Sequence, residues 1–192
     1  MSPTGHLRAD AERNMRAIID AAIVLLAAEP EASMERVATA AGVGRATVYR
    51  HFASREHLVR AILDQALQDA RDAVIGSRPD DGTPVEALKR AVQAILKVAD
   101  RYRLVRQIPR DDVELRQRAE EVGAPLTAIV GRGQRSGDFR SDLQPRWCAS
   151  ALGALIQAVT VALIDGEVRE RDACRLVVST FVDGIAAPAP TG

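Results

Sequence analysis

Aromatic residues make up only 3% of the 192 positions, there are two cysteines, and there is no net charge, 26 basic side chains standing against 26 acidic ones. Each shortage excludes something. Few β-branched runs bounded by turn residues occur while alanine and leucine are plentiful, which points to an all-α fold rather than a sheet protein. Cys148 and Cys174 lie far apart in apolar surroundings and match no metal or redox spacing, so they are read as small buried residues of a reducing compartment. The start, "MSPTGHLRADAERNMR", puts charges where a signal peptide needs its apolar centre; export is not expected, and the chain is placed in the cytoplasm. Neutral total charge excludes a generally basic protein but not a local basic patch.

At 47% hydrophobic, the chain has the material for one or two compact domains. Helical spacing of Met15, Ile18, Ile19, Ala22, Ile23 and Leu26 predicts a first helix ending by Pro30. Ser33 is the expected N-cap of a short second helix carrying Val37, Ala38 and Ala41, with Glu35 in its first turn and Gly42 at its end. A third short helix runs from Arg45 to Phe52, and Ser54 caps a fourth with a stripe from Leu58 to Val74. "GSRPDDGTP", residues 76–84, is the clearest break. Thr83, Pro84 and Glu86 then supply the N-cap, first-turn proline and acid of a capping box.

Further on, Pro109 stops that helix, a short polar helix is expected over Asp112–Val122, and another from Pro125 to Arg135. "SGDFRSDLQP" is read as a connecting loop. Pro145 opens an uncharged helix, and a last helix runs through Ile185, giving about nine in all. Trp147 to Ile164 reaches the lower edge of a membrane span, but Ala, Gly, Ser, Gln and Thr fill about half of it, and a helix buried within protein fits better. Apolar residues go nearly all round this helix and crowd the last one. Self-association as a two-fold four-helix bundle would take that surface out of water.

The basic patch lies at the third helix. Between Arg36 and Arg60 five arginines face a single acid, Glu56. With Val48 and Phe52 pointing inward, Arg45, Ala46, Thr47, Tyr49 and His51 are left outward: guanidinium, hydroxyl and imidazole groups suited to phosphate oxygens and base edges, on a helix slim enough for the major groove. Two short helices joined at "AAGVG", with a longer helix before and after, form a helix-turn-helix. A solvated charged face is the bland alternative, with Tyr49 as core and His51 as an ordinary surface residue.

"ERVATAAGVGRATVYRHFASREHLVRAIL", residues 35–63, resembles the DNA-binding signature of the TetR family of bacterial transcriptional repressors, most closely in "AAGVGRATVYRHFASREHL". The resemblance implies a helix-turn-helix domain over 1–56 and an effector-binding and dimerisation domain over 57–187, followed by a disordered tail, 188–192. It implies DNA-binding roles for Ser33, Gly44, Arg45, Ala46, Thr47, Tyr49, Arg50, His51 and Arg55. Thr47, Tyr49, His51 and Arg55 match positions set against the phosphate backbone, and Arg45 is the first candidate for reading a base. Gly44 stands where serine is commoner, and Met34 and Glu35 replace hydroxyl or basic residues.

The same resemblance implies a homodimer through the last two helices, a palindromic operator in double-stranded DNA and a small-molecule effector. No cofactor or metal is implied, and no membrane. Tyr102 and Trp147 carry polar handles and are candidate pocket residues, with core packing as the competing role. An enzyme is disfavoured, because His6, His51 and His57 have no acid or nucleophile at catalytic spacing and "GRG" at 131–133 is too short for a phosphate loop. A helical DNA-binding or adaptor protein without a ligand stays open as a third reading.

Overall fold

The computed structural model describes residues 3–102 and 113–186, and these form eight helices: α1 (Pro3–Ala28), α2 (Met34–Ala40), α3 (Arg45–His51), α4 (Arg55–Gly76), α5 (Pro84–Tyr102), α6 (Val113–Ser136), α7 (Pro145–Ile164) and α8 (Glu170–Ile185). Among the described residues there is no strand, only an isolated antiparallel bridge between Phe139 and Ala186. The all-α expectation therefore holds. Pro109, Asp112 and the 188–192 tail lie outside the described residues.

The caps read from sequence are in place. Ser33 Oγ accepts the Arg36 amide at 3.3 Å, and Ser54 Oγ accepts that of His57 at 3.4 Å. Thr83 and Glu86 exchange bonds, the Thr83 amide donating to Glu86 Oε2 at 2.9 Å and the Glu86 amide to Thr83 Oγ1 at 3.3 Å. Two expectations need correction. Met15, read as part of the packing stripe of the first helix, is exposed on α1 rather than inward. The two helices expected on either side of Gly123 are one, α6, with Pro125 inside it. Proline costs a helix interior about 3 kcal/mol, but Leu126, Ile129 and Val130 directly after it are buried against the α7 face and hold the helix through.

The chain divides into two compact units. The first takes the described residues through Gln65 together with Tyr102; its buried side chains include Ile18, Ala22 and Leu26 of α1, Val37 of α2, Val48 of α3, Phe52, and Leu58 and Ile62 of α4. The second takes Ala66–Arg101 and the described residues from Val113 onward. Its core gathers Val74, Leu88 and Val92 with Leu126, Ile129, Val130, Phe139, Leu152, Ile156, Val177 and Phe181.

Within the second unit the "GSRPDDGTP" break is a fastened turn. Arg90 donates to the carbonyls of Ser77 at 3.0 Å and Arg78 at 2.9 Å, and Arg132 donates to that of Pro79 at 2.8 Å and also to that of Asp80. Both cysteines are free thiols, Cys148 buried and Cys174 half-buried, and burial pushes both thiols up from their ordinary range.

Candidate nucleic-acid interface

The turn between α2 and α3 is built on Gly42, whose φ of +66° lies where an L side chain is strained. The Val43 amide returns to the Ala38 carbonyl at 3.0 Å, which closes the turn over the end of α2. Gly44, extended at φ −70° and ψ 146°, is the N-cap of α3 and offers no side-chain bond there. From this start, Val48 is 0% and Phe52 4% exposed, so the inward pair fixes the roll of α3 about its axis.

The outward face follows from that roll. Arg45, Ala46, Tyr49 and Arg50 are exposed, whereas Thr47 and His51 are half-buried. His51 Nε2 is buried without a hydrogen-bond partner among the described residues, at the end of the helix where the ring stands 6.3 Å from that of Phe52. Ser33, at the head of α2, is exposed beside this face.

Two side chains are engaged in ways that sequence spacing does not signal. Glu35, on the first turn of α2, accepts from Arg45 Nη2 at 2.9 Å and from the Tyr49 hydroxyl at 3.4 Å, while the Arg45 guanidinium lies 5.4 Å above the Tyr49 ring. The Glu35 carboxyl is held below the usual carboxylate range by its own amide first, then by the Ser33 hydroxyl and, less strongly, by Arg45 and Tyr49. Arg55 turns its guanidinium to the connector between α1 and α2, donating to the Ala32 carbonyl at 2.8 Å and to the Pro30 carbonyl. It braces that connector, while Arg36 pairs with Glu29 at 2.8 Å.

The two effector candidates belong to different units. Tyr102 is buried and belongs to the first unit; Trp147 is 65% exposed on α7 in the second. An open cleft beside the connector that follows α6 is lined by Phe139, Arg140 and Asp142 and includes neither of them. Among the described residues no cluster of three His, Cys, Asp or Glu side chains is arranged to hold a metal.

Comparison with known proteins agrees with this geometry. The profile described as "Bacterial regulatory proteins, tetR family" matches residues 18–62, which span α2, the turn and α3. The HTH-type transcriptional repressor LfrR of Mycolicibacterium smegmatis is 34% identical over 162 residues, covering 83% of this chain and 84% of that protein. The HTH-type transcriptional regulator NfxB of Pseudomonas aeruginosa is 27% identical over 180 residues, covering 90% of this chain and 94% of its own. A crystal structure of LfrR from Mycobacterium smegmatis in complex with proflavine superposes with a TM-score of 0.72 at 28% identity, covering 92% of this chain and 98% of that one. The chain thus belongs to the TetR family of bacterial regulatory proteins, and its helix-turn-helix makes it a DNA-binding transcription regulator and not an enzyme.

Proposed function

We propose that the protein is a cytoplasmic repressor that binds a palindromic operator as a homodimer and releases it when a small molecule binds. The single observation that carries this reading is α3, with Val48 and Phe52 sunk in the first unit and Arg45, Ala46 and Tyr49 held out from it. A helix so anchored presents its N-terminal side chains to a major groove. In this reading Arg45 donates to the O6 and N7 of a guanine. Thr47 and Tyr49 hold phosphates, and so do Ser33 and the Gly44 amide at the two helix starts; Ala46 meets a base edge at close range. Arg50 extends the positive face, and His51 stands at the end of the helix beside it. Arg55 adds its charge while bracing the Pro30–Ala32 turn on which α2 sits.

Two such heads related by a two-fold axis require a two-fold operator. The dimer is assigned to α7 and α8, whose outer faces expose Trp147, Val161 and Leu176. The effector is assigned to the C-terminal helices. Proflavine, a planar aromatic cation and the ligand named in the LfrR structure, is the first compound to try.

Selection of bound fragments from a random duplex pool at about 0.1 M salt tests the reading, because phosphate contacts weaken steeply as salt rises. A two-fold symmetric sequence should be enriched. Arg45→Ala should then lose about 1–3 kcal/mol of discrimination at one base pair of each half-site, whereas Thr47→Ala and Tyr49→Phe should weaken all duplexes alike. Proflavine should raise the melting temperature and release the duplex. A pool with no enriched sequence would refute the proposal, and enrichment without any response to ligands would favour a regulator lacking an effector.

A further inference from the structure

The face that is offered to DNA contains an acid. Glu35 takes one guanidinium hydrogen of Arg45 at 2.9 Å and the hydroxyl hydrogen of Tyr49 at 3.4 Å, so the group best placed to read a base and a group best placed to hold a phosphate share one carboxylate. The pair lies in the open, with 68% of the Arg45 side chain and 44% of that of Glu35 exposed, where an ion pair contributes little to folding. Stability therefore does not account for it. A carboxylate among phosphates is also repulsive on every DNA sequence, and this one stays charged, because its own amide, then the Ser33 hydroxyl and, less strongly, Arg45 and Tyr49 hold its carboxyl low.

The cost is uniform across sequences, but the return is not. On a random duplex Arg45 has only phosphates to gain, and each must compete with a carboxylate already in contact. Opposite a guanine, the two parallel acceptors O6 and N7 match the guanidinium fork and outbid a single carboxylate oxygen. We propose that Glu35 is a specificity-determining residue that withholds Arg45 and Tyr49 from non-specific phosphates and so widens the gap between operator and random DNA.

This inference rests on the DNA-binding reading, and one experiment separates the two. The dissociation constants of wild-type protein, Glu35→Gln and Glu35→Ala are measured across a salt series on the selected duplex and on a scrambled duplex of equal length. In both variants scrambled binding should tighten about tenfold, with a salt slope steeper by about one phosphate contact. Selected binding should tighten by less than about threefold, so the specificity ratio falls. Adding Arg45→Ala to Glu35→Gln should remove most of the gain, because the carboxylate acts through that guanidinium. An unchanged ratio and slope overturn the inference, as does weaker selected binding with scrambled binding unaltered, which would make Glu35 a support or reader in its own right. Failure of the wild-type protein to prefer any duplex would instead overturn the DNA-binding reading.

Discussion

At Gly133 the backbone of α6 meets a phenylalanine ring. A Cβ built there would lie 2.2 Å from Phe139 Cδ2 and 2.4 Å from Cε2, and Phe139 is 2% exposed in the middle of the second unit's core. The ring's backbone is fastened, the Arg140 amide next to it being bonded to the Ile185 carbonyl at 2.9 Å, so the ring must shift toward the cleft or strain the core. Overpacking of this kind costs about 1–3 kcal/mol, and a rigid ring against a helix backbone belongs at the upper end. Gly133→Ala should accordingly lower the unfolding free energy of the protein by about 3 kcal/mol in urea titration. Gly123→Ala, on the same helix with nothing within 4 Å of its added methyl, should raise it by about 0.5–1 kcal/mol. Equal effects at the two sites would show that Phe139 is free to give way.

The caps show where a local signal suffices. Thr83 and Glu86 close α5 through groups three residues apart, and that geometry is contained in the sequence itself. The Glu86 carboxyl is held below its ordinary 4.5, first by the Thr83 amide and then by the Thr83 hydroxyl, with Arg90 adding to the effect. Its folded value lies below its unfolded one, so the stabilisation is complete above about pH 5 and is lost as pH falls through the folded value. Glu86→Gln should then melt lower than the wild type at about pH 6 and approach it at about pH 3. A constant gap at the two pH values would mean that ionised Glu86 does not act through the cap.

Ser33, Ser54, Gly42 and the inward pair Val48 and Phe52 were legible for the same reason as this cap: each is a short-range signal with one backbone solution. Pro125 was not, because the packing that overrides it involves residues of α7. Gly133 stands out locally only as part of "GRG", since nothing local reveals that Phe139, in a stretch that reads as a connecting loop, folds back onto it. Glu35 was seen as a first-turn acid, while its partners Arg45 and Tyr49 stand on another helix, at a distance set by the turn. What sequence reading lost in each case was a contact between elements.

For the molecule as a whole, α7 carries the unfinished surface. Trp147, Ala154, Ala158 and Val161 recur at helical spacing along its exposed side, opposite the buried Cys148, Leu152, Ile156 and Val159. The most apolar 18-residue window of this helix has a mean hydropathy of 1.9, yet only 28% of it is buried within the protomer. Small residues in the middle of the stripe let a second helix approach closely, so the two-fold pairing proposed above would cover this side. Ala158→Arg puts a good helix former at an exposed site and should leave the protomer's fold and secondary structure intact. In a dimer contact the same guanidinium would be buried without a partner, a cost large enough to separate the subunits. Sedimentation at micromolar concentration should therefore give a monomer for Ala158→Arg and a dimer for the control Gln93→Arg on exposed α5 surface. Affinity for the two-fold operator should fall by about a hundredfold or more, as each head then binds its half-site alone. A dimer that survives Ala158→Arg would move the contact off this face of α7, and a monomer that keeps full operator affinity would show that the two heads do not bind as one.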